Sequence, residues 1–192
     1  KFGGGGYKVA GGLHGVGASV VNALSEWLEL EIKDGTHVHF QRFERGKYDE
    51  KLKIISDTTE TGTTVTFKAD HEIFEQTVEY DYDTLLKMLR EQAFLNAGVK
   101  IVFQDKRTDE YKGETLHYEG GIRQFVEHIH KTRGLEAITP QVIYITGKKD
   151  DITAEIAFQY NDSYNELVLS FANNVHTPDG GTHETGFKNA LT

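Results

Sequence analysis

Residues 3–17 read Gly-Gly-Gly-Gly-Tyr-Lys-Val-Ala-Gly-Gly-Leu-His-Gly-Val-Gly, and residues 18–24 continue as Ala-Ser-Val-Val-Asn-Ala-Leu. Eight of the fifteen residues from 3 to 17 are glycines, which reach φ > 0 and let a ligand approach the main chain closely. Apolar residues then follow at helical spacing, and this pattern predicts a helix over 18–28. The apolar residues are Val20, Val21, Leu24, Trp27 and Leu28. Because a helix N-terminus presents unpaired N–H groups and partial positive charge, the stretch predicts a phosphate-binding loop.

Other interpretations of the glycine-rich stretch are open to test on its spacing. A Walker loop needs Gly-Lys followed by Ser or Thr, and this string does not occur in the sequence. A dinucleotide fingerprint needs Gly-x-Gly-x-x-Gly after a buried strand, whereas Gly12, Gly15 and Gly17 have the reversed spacing. The remaining alternative is a flexible surface loop in front of an ordinary helix.

Composition limits the class of protein. The 192 residues are 38% hydrophobic and 11% aromatic, which is enough for a packed core in one large or two small domains. The formal charge of −9 argues against a main DNA-gripping surface, which would need clustered lysine and arginine. Cysteine is absent, so the sequence excludes disulfides and thiolate metal sites, and we expect a cytoplasmic protein. The opening at Lys1 inside a glycine-rich loop leads us to expect a piece of a longer protein.

Strand and helix patterns alternate along the rest of the chain. Strands are predicted over 28–33, 37–43, 52–55, 63–68 and 99–103, the first two as a hairpin across Asp34-Gly35. Helices are predicted over 82–96 and 122–130. Further strands are predicted over 142–145, 153–160 and 167–171, the last two as a hairpin, followed by a helix capped by the Thr182 hydroxyl with Glu184 in its first turn. A mixed α+β fold follows, with a sheet covered by helices.

Several motifs together resemble one family, the B subunits of bacterial type IIA topoisomerases, which belong to the GHKL ATPase superfamily. They are Gly11 to Ser25, Thr61 to Phe67, Arg90 to Asn96, His117 to Ile122, Asn173-Asn174 and Gly180 to Phe187. The resemblance implies a partial Bergerat (GHKL) ATPase α/β sandwich over residues 1–118. Over residues 119–192 it implies part of a ribosomal-protein-S5-domain-2-like transducer domain.

The same resemblance implies an ATP site. The lid would contribute Lys1 near the phosphates and Tyr7 at the adenine end, and Thr63 would reach the adenine pocket from a strand. Backbone groups of the glycine loop would hold the phosphates: Gly12, Leu13, His14, Gly15, Val16 and Gly17. For Thr63, β-propensity alone is a sufficient explanation of a threonine on a strand.

Catalytic residues are expected outside the chain. In this family the general-base glutamate and the magnesium-binding asparagine lie upstream of the glycine loop, so the resemblance predicts no catalytic residue, no metal ligand and no ATP hydrolysis by these residues alone. ATP and Mg²⁺ are the expected cofactors of the intact enzyme. Its expected partners are a second copy of the B protein on ATP binding, a DNA-cleaving A protein in an A2B2 assembly, and DNA, without a membrane.

Two paralogues and one different class of protein remain open. Gly3 to Gly6 and Phe94-Leu95-Asn96 favour the paralogue that introduces negative supercoils, whereas Trp27-Leu28-Glu29 and Gln41-Arg42-Phe43 suit the decatenating paralogue. A GHKL module that binds nucleotide without hydrolysing it is the alternative from another class.

Histidines offer one further hypothesis. His37 and His39 share one face of a predicted strand, where two imidazoles could bind a metal. With no carboxylate or third ligand in register, a polar outer face of a hairpin is the favoured interpretation. His128 and His130 are two residues apart on a predicted helix and point to different sides, so they are not a ligand pair.

Overall fold

A computed structural model describes residues 15–48 and 51–192, and its contacts divide the chain into two units, the first ending at Tyr80 and the second running from Asp81 to Thr192. The first unit contains α1 (Gly17–Ala23), β1 (Ser25–Asp34), β2 (His37–Glu44), β3 (Lys53–Asp57) and β4 (Thr61–Ala69). Its strands form one antiparallel sheet in the order β3-β2-β1-β4. Both α and β elements are present, as the predicted α+β class requires.

The β1–β2 hairpin confirms the prediction made from the Asp34-Gly35 turn. Gly35 has φ +92°, a left-handed conformation that favours glycine. Lys33 pairs with Val38 and Leu28 with Phe43 along the ladder. Leu28 and Val38 are both 6% exposed, and the register places one of them on each face of this sheet.

The first predicted helix is too long. α1 ends at Ala23, and Trp27 and Leu28 belong to β1. The Ser25 hydroxyl donates to the Val21 carbonyl at 2.6 Å, where the helix ends and the strand begins. Leu28, Leu30 and Ile32 alternate with acidic residues, and pairing of β1 on both edges satisfies the backbone groups that helix formation would otherwise satisfy.

The second unit begins with a helix on a hairpin. It contains α2 (Tyr82–Leu95), β5 (Lys100–Asp105), β6 (Lys112–His117) and α3 (Ile122–Arg133). β5 pairs antiparallel with β6, which begins inside a segment where the sequence pattern predicted no element. Asp81 accepts a hydrogen bond from the Thr84 amide at 2.8 Å and caps α2.

Phe94 is the centre of the core of this unit. Its ring is 1% exposed and stacks on Tyr118 and Phe125, with centroids 3.7 and 4.7 Å away. The His128 ring lies 5.3 Å from it at a tilted angle. These contacts join α2 to α3 and to the segment between β6 and α3.

The final segment contains β7 (Ile143–Lys149), β8 (Ile152–Phe158), β9 (Phe171–Ala172), β10 (Val175–His176) and α4 (Thr182–Leu191). The predicted hairpin between 153–160 and 167–171 is wrong, because β8 pairs with β7 and β9 pairs with β10. The turn between β7 and β8 contains Asp150, whose φ of +54° is a left-handed conformation. The predicted Thr182 cap is also wrong: Gly181 occupies the N-cap position without a side-chain bond, while Glu184 does lie in the first turn.

No helix within the described ranges is long and apolar enough to cross a membrane.

Candidate nucleotide-binding site

The described part of the glycine loop consists of Gly15, Val16 and Gly17. Gly15 adopts φ +61°, and Val16 is the N-cap of α1 with φ −103° and ψ −4°. The Val16 carbonyl accepts the first hydrogen bond of the helix, from the Val20 amide at 2.9 Å. The left-handed glycine therefore turns the chain directly into the start of α1, as the glycine pattern predicts.

The start of α1 suits an anionic ligand. Val16 makes no side-chain capping bond, and the first turn of this helix carries no acidic residue. Val16 and Val20 are 51% and 47% exposed, so this end is open to solvent. Backbone N–H groups in such a turn can donate to phosphate oxygens. Gly15, Val16, Gly17 and Thr63 include no carboxylate, the side chain that most often binds Mg²⁺.

Thr63 lies on β4, opposite Ile32 of β1, and is exposed. α1 leads into β1 at Ser25, whereas Thr63 pairs with Ile32, seven residues further along that strand. The other predicted ligands lie outside the described residues: Lys1, Tyr7, Gly12, Leu13 and His14.

Asp34 organises the β1–β2 turn in a way that the sequence pattern did not reveal. Its Oδ1 accepts from the Thr36 and His37 amides at 2.8 and 2.7 Å and from the Thr36 hydroxyl at 2.7 Å. Its Oδ2 lies 2.9 Å from Nε2 of His39. These hydrogen bonds hold the pKa of Asp34 well below its usual range. The bond from the His37 amide has the largest effect, and those from Thr36 and His39 add to it.

In the second unit, two sequence segments that carry the family resemblance meet. The Asn174 side-chain amide donates to Asn96 Oδ1 at 2.9 Å, and the Gln92 side-chain amide donates to the Asn174 carbonyl at 3.1 Å. Asn173 and Asn174 have φ +48° and +63°, so a tight turn presents them to α2. No periodicity in the sequence connects residues so far apart, and this contact was not predicted.

Three comparisons with known proteins agree. A family model described as DNA gyrase B matches residues 121–192. The chain is 51% identical over its whole length to a DNA gyrase B protein of Bacillus mycoides, of which it covers 47%. It is 54% identical to the DNA gyrase B protein of Halalkalibacterium halodurans, of which it covers 30%. The chain therefore spans about half or less of these relatives.

A solved structure resembles the fold of the chain. It is the 43K ATPase domain of Thermus thermophilus gyrase B in complex with an aminocoumarin, with a TM-score of 0.80 and 39% sequence identity. The match covers 92% of this chain and 47% of the other.

Proposed function

The chain belongs to the DNA gyrase B family, and from this premise we propose that it is part of the ATP-binding and transducer region of a DNA gyrase B protein. The intact protein would be an ATP-dependent type IIA topoisomerase that introduces negative supercoils by double-strand passage. The observation that carries the proposal is the 50–54% identity to gyrase B proteins along the entire chain. The resemblance to the Thermus ATPase domain supports the same assignment.

Within that function, the chain's own groups would bind nucleotide. The amides at Gly15, Val16 and Gly17 would donate to the phosphates of ATP, in a turn that carries no acidic side chain to oppose the negative charge. Thr63 would contribute its hydroxyl from β4 to the adenine pocket. The five ligands outside the described residues, from Lys1 to His14, belong to the same proposal.

General-base catalysis and metal binding are assigned elsewhere in the intact enzyme. Water activation and neutralisation of phosphate charge are the demanding parts of ATP hydrolysis. We assign neither to Gly15, Val16, Gly17 or Thr63, because these residues include no carboxylate or imidazole to act as a base and the family resemblance places the magnesium ligand upstream of the glycine loop. Mg²⁺ would accompany ATP in the intact enzyme.

The domain boundary stays a prediction. We place the end of the ATPase part at 118 and the start of the transducer part at 119, and the start of the family match at residue 121 supports this placement. The contacts instead divide the described chain after Tyr80, because Phe94 of α2 stacks on Tyr118 and Phe125.

The proposed partners are those of the family. They are the gyrase A protein in an A2B2 heterotetramer, a second copy of the gyrase B protein on ATP binding, and DNA. Together with these assignments we place the protein in the bacterial cytoplasm.

Reconstitution tests the proposal. The intact protein that carries this chain is combined with its gyrase A partner and a relaxed circular DNA, with and without ATP and Mg²⁺. We expect negative supercoils only when both are present. Decatenation of linked circles without supercoiling would assign the protein to the topoisomerase IV paralogue, and nucleotide binding without hydrolysis would make it a non-hydrolysing module; either result would overturn the proposal.

A further inference from the structure

A carboxylate and two imidazoles meet at the turn end of the β1–β2 hairpin. Asp34 is the last residue of β1, and His37 and His39 lie on β2. One possible ligand atom from each lies within 4.8 Å of the others. Because side chains alternate along a strand, both histidines project from the face opposite the buried Val38.

The carboxylate is held in place by the turn. The three hydrogen bonds that Asp34 Oδ1 accepts from Thr36 and His37 fix the side chain and leave Oδ2 beside His39 Nε2. Hydrogen bonds to the second oxygen of a ligating carboxylate are the usual means by which proteins orient such a ligand. The sequence alone indicated no third ligand for the two histidines, and the turn supplies it.

The ligand set selects a class of metal. Two imidazole nitrogens and one carboxylate oxygen suit Zn²⁺ and similar divalent transition metals better than Mg²⁺ or Ca²⁺, which prefer oxygen alone. Zinc bonds of about 2.0–2.2 Å in tetrahedral geometry place neighbouring ligand atoms roughly 3.3–3.6 Å apart. The distance of 2.9 Å between Asp34 Oδ2 and His39 Nε2 would widen by a few tenths of an ångström.

The side chains have room for that adjustment. Asp34 and His37 are 42% and 44% exposed, and His39 is 23% exposed. A second carboxylate stands nearby, because Asp57 of β3 pairs with His37 and its Oδ1 lies 3.7 Å from His37 Nε2. Two carboxylates would balance the charge of a divalent ion.

We propose that Asp34, His37 and His39 bind one divalent transition-metal ion of the zinc class, with water in the fourth position. The ion joins the end of β1 to the start of β2 and stabilises the hairpin. This site is independent of the proposed nucleotide function, since none of its three ligands belongs to the phosphate loop. The competing interpretation is a turn with a hydrogen bond between Asp34 and His39 and no metal.

Titration of the full chain with Zn²⁺ in a non-chelating buffer at neutral pH tests the proposal, with calorimetry as the readout. We expect one ion per chain. His37→Asn and His39→Asn should each weaken binding by about tenfold or more, because even outer-shell changes at metal sites cost about 10–100-fold. His71→Asn is the matched control, since His71 is an exposed histidine of the same unit outside the cluster. The Zn²⁺ affinity of this variant should equal that of the parent chain.

A second variant separates loss of a ligand from loss of fold. Asp34→Asn keeps an oxygen that accepts the turn hydrogen bonds but removes the negatively charged ligand. The hairpin should therefore form, and the variant should bind Zn²⁺ more weakly than the parent chain does. Co²⁺ provides an independent signal, because a tetrahedral site gives visible absorption bands that the His37→Asn/His39→Asn double variant should lack. Absence of saturable Zn²⁺ binding, or equal affinity in the double variant, would overturn the proposal.

Discussion

The Arg45 guanidinium donates from Nε to Oδ2 of Asp70 at 2.8 Å, and Asp70 is one of the least exposed side chains of the first unit, at 2%. Arg45 also has φ +46°, so an arginine occupies a backbone conformation that usually favours glycine. Its NH2 group reaches Glu72 Oε1 at 2.6 Å. One arginine thus joins the end of β2 to the residue that follows β4.

Removal of Arg45 should therefore destabilise the protein more than removal of Glu72. Arg45→Ala leaves the buried Asp70 carboxylate without its cation, whereas Glu72 is 60% exposed and water replaces its contact. Urea unfolding of the two variants measures the difference as a shift in midpoint. Equal shifts for Arg45→Ala and Glu72→Ala would mean that burial of Asp70 carries no special cost.

Phe94→Ala should lower the free energy of unfolding by about 3–5 kcal/mol, because it empties a site enclosed by Tyr118 and Phe125. Met88→Ala on the same helix is the control: Met88 is 57% exposed, and its loss should change stability by about 0.5 kcal/mol or less. Denaturant unfolding of both variants gives the comparison. Similar losses would contradict the central position of Phe94 in the core.

His128 should make stability depend on pH. Burial lowers the pKa of His128, nearby Arg90 and Lys131 lower it further, and Glu114 opposes them. In the unfolded chain this histidine titrates near its usual pKa of about 6.5, so below that pH the unfolded state binds more protons than the folded state. The free energy of unfolding should therefore fall as pH drops below about 6.5, until the lower folded pKa is passed.

The variant His128→Phe isolates this contribution, since it keeps a ring against Phe94 and removes the titrating group. Unfolding measured from neutral to mildly acidic pH should show a shallower decline for the variant than for the parent protein. Parallel curves would show that His128 does not contribute to the pH dependence.

Gly15→Ala should weaken ATP binding if the proposed phosphate loop is correct. An L-residue at φ +61° costs roughly 1–2 kcal/mol, so about a tenfold loss of affinity is expected where the bound loop needs that conformation. Gly147→Ala is the control, because Gly147 lies on β7 and has open space where the added methyl group would project. Equal ATP affinities for the two variants would remove Gly15 from the site.

Local patterns predicted the elements whose hydrogen bonds are local. The turn at Asp34-Gly35 and the alternation around it predicted the β1–β2 hairpin, and apolar spacing predicted α2, whose Asp81 cap the structure added. The end of α1 was misplaced because Trp27 and Leu28 fit both a helical and a strand period, and only pairing with β2 and β4 selects the strand.

Pairings and sites were harder to predict because they depend on which segments meet. The prediction paired the strand over 153–160 with the strand after it, but β8 pairs with β7, the strand before it. Polar segments lie on both sides of this strand, and the sequence does not reveal that the one containing Asp150 forms the hairpin turn. The carboxylate beside His39 was overlooked for a related reason. Asp34 becomes a neighbour of that ring only after the turn folds β2 back along β1.

β1 forms its two pairings across very different lengths of chain. It joins β2 through a turn that begins at Asp34, but its other edge pairs with β4 only after the chain returns from Asp34 to Thr61. Loop closure costs more entropy as the loop lengthens, so the hairpin should form first. During synthesis at roughly 5–20 residues per second, the second edge of β1 would therefore stay open for a time on the order of seconds, until β4 leaves the ribosome.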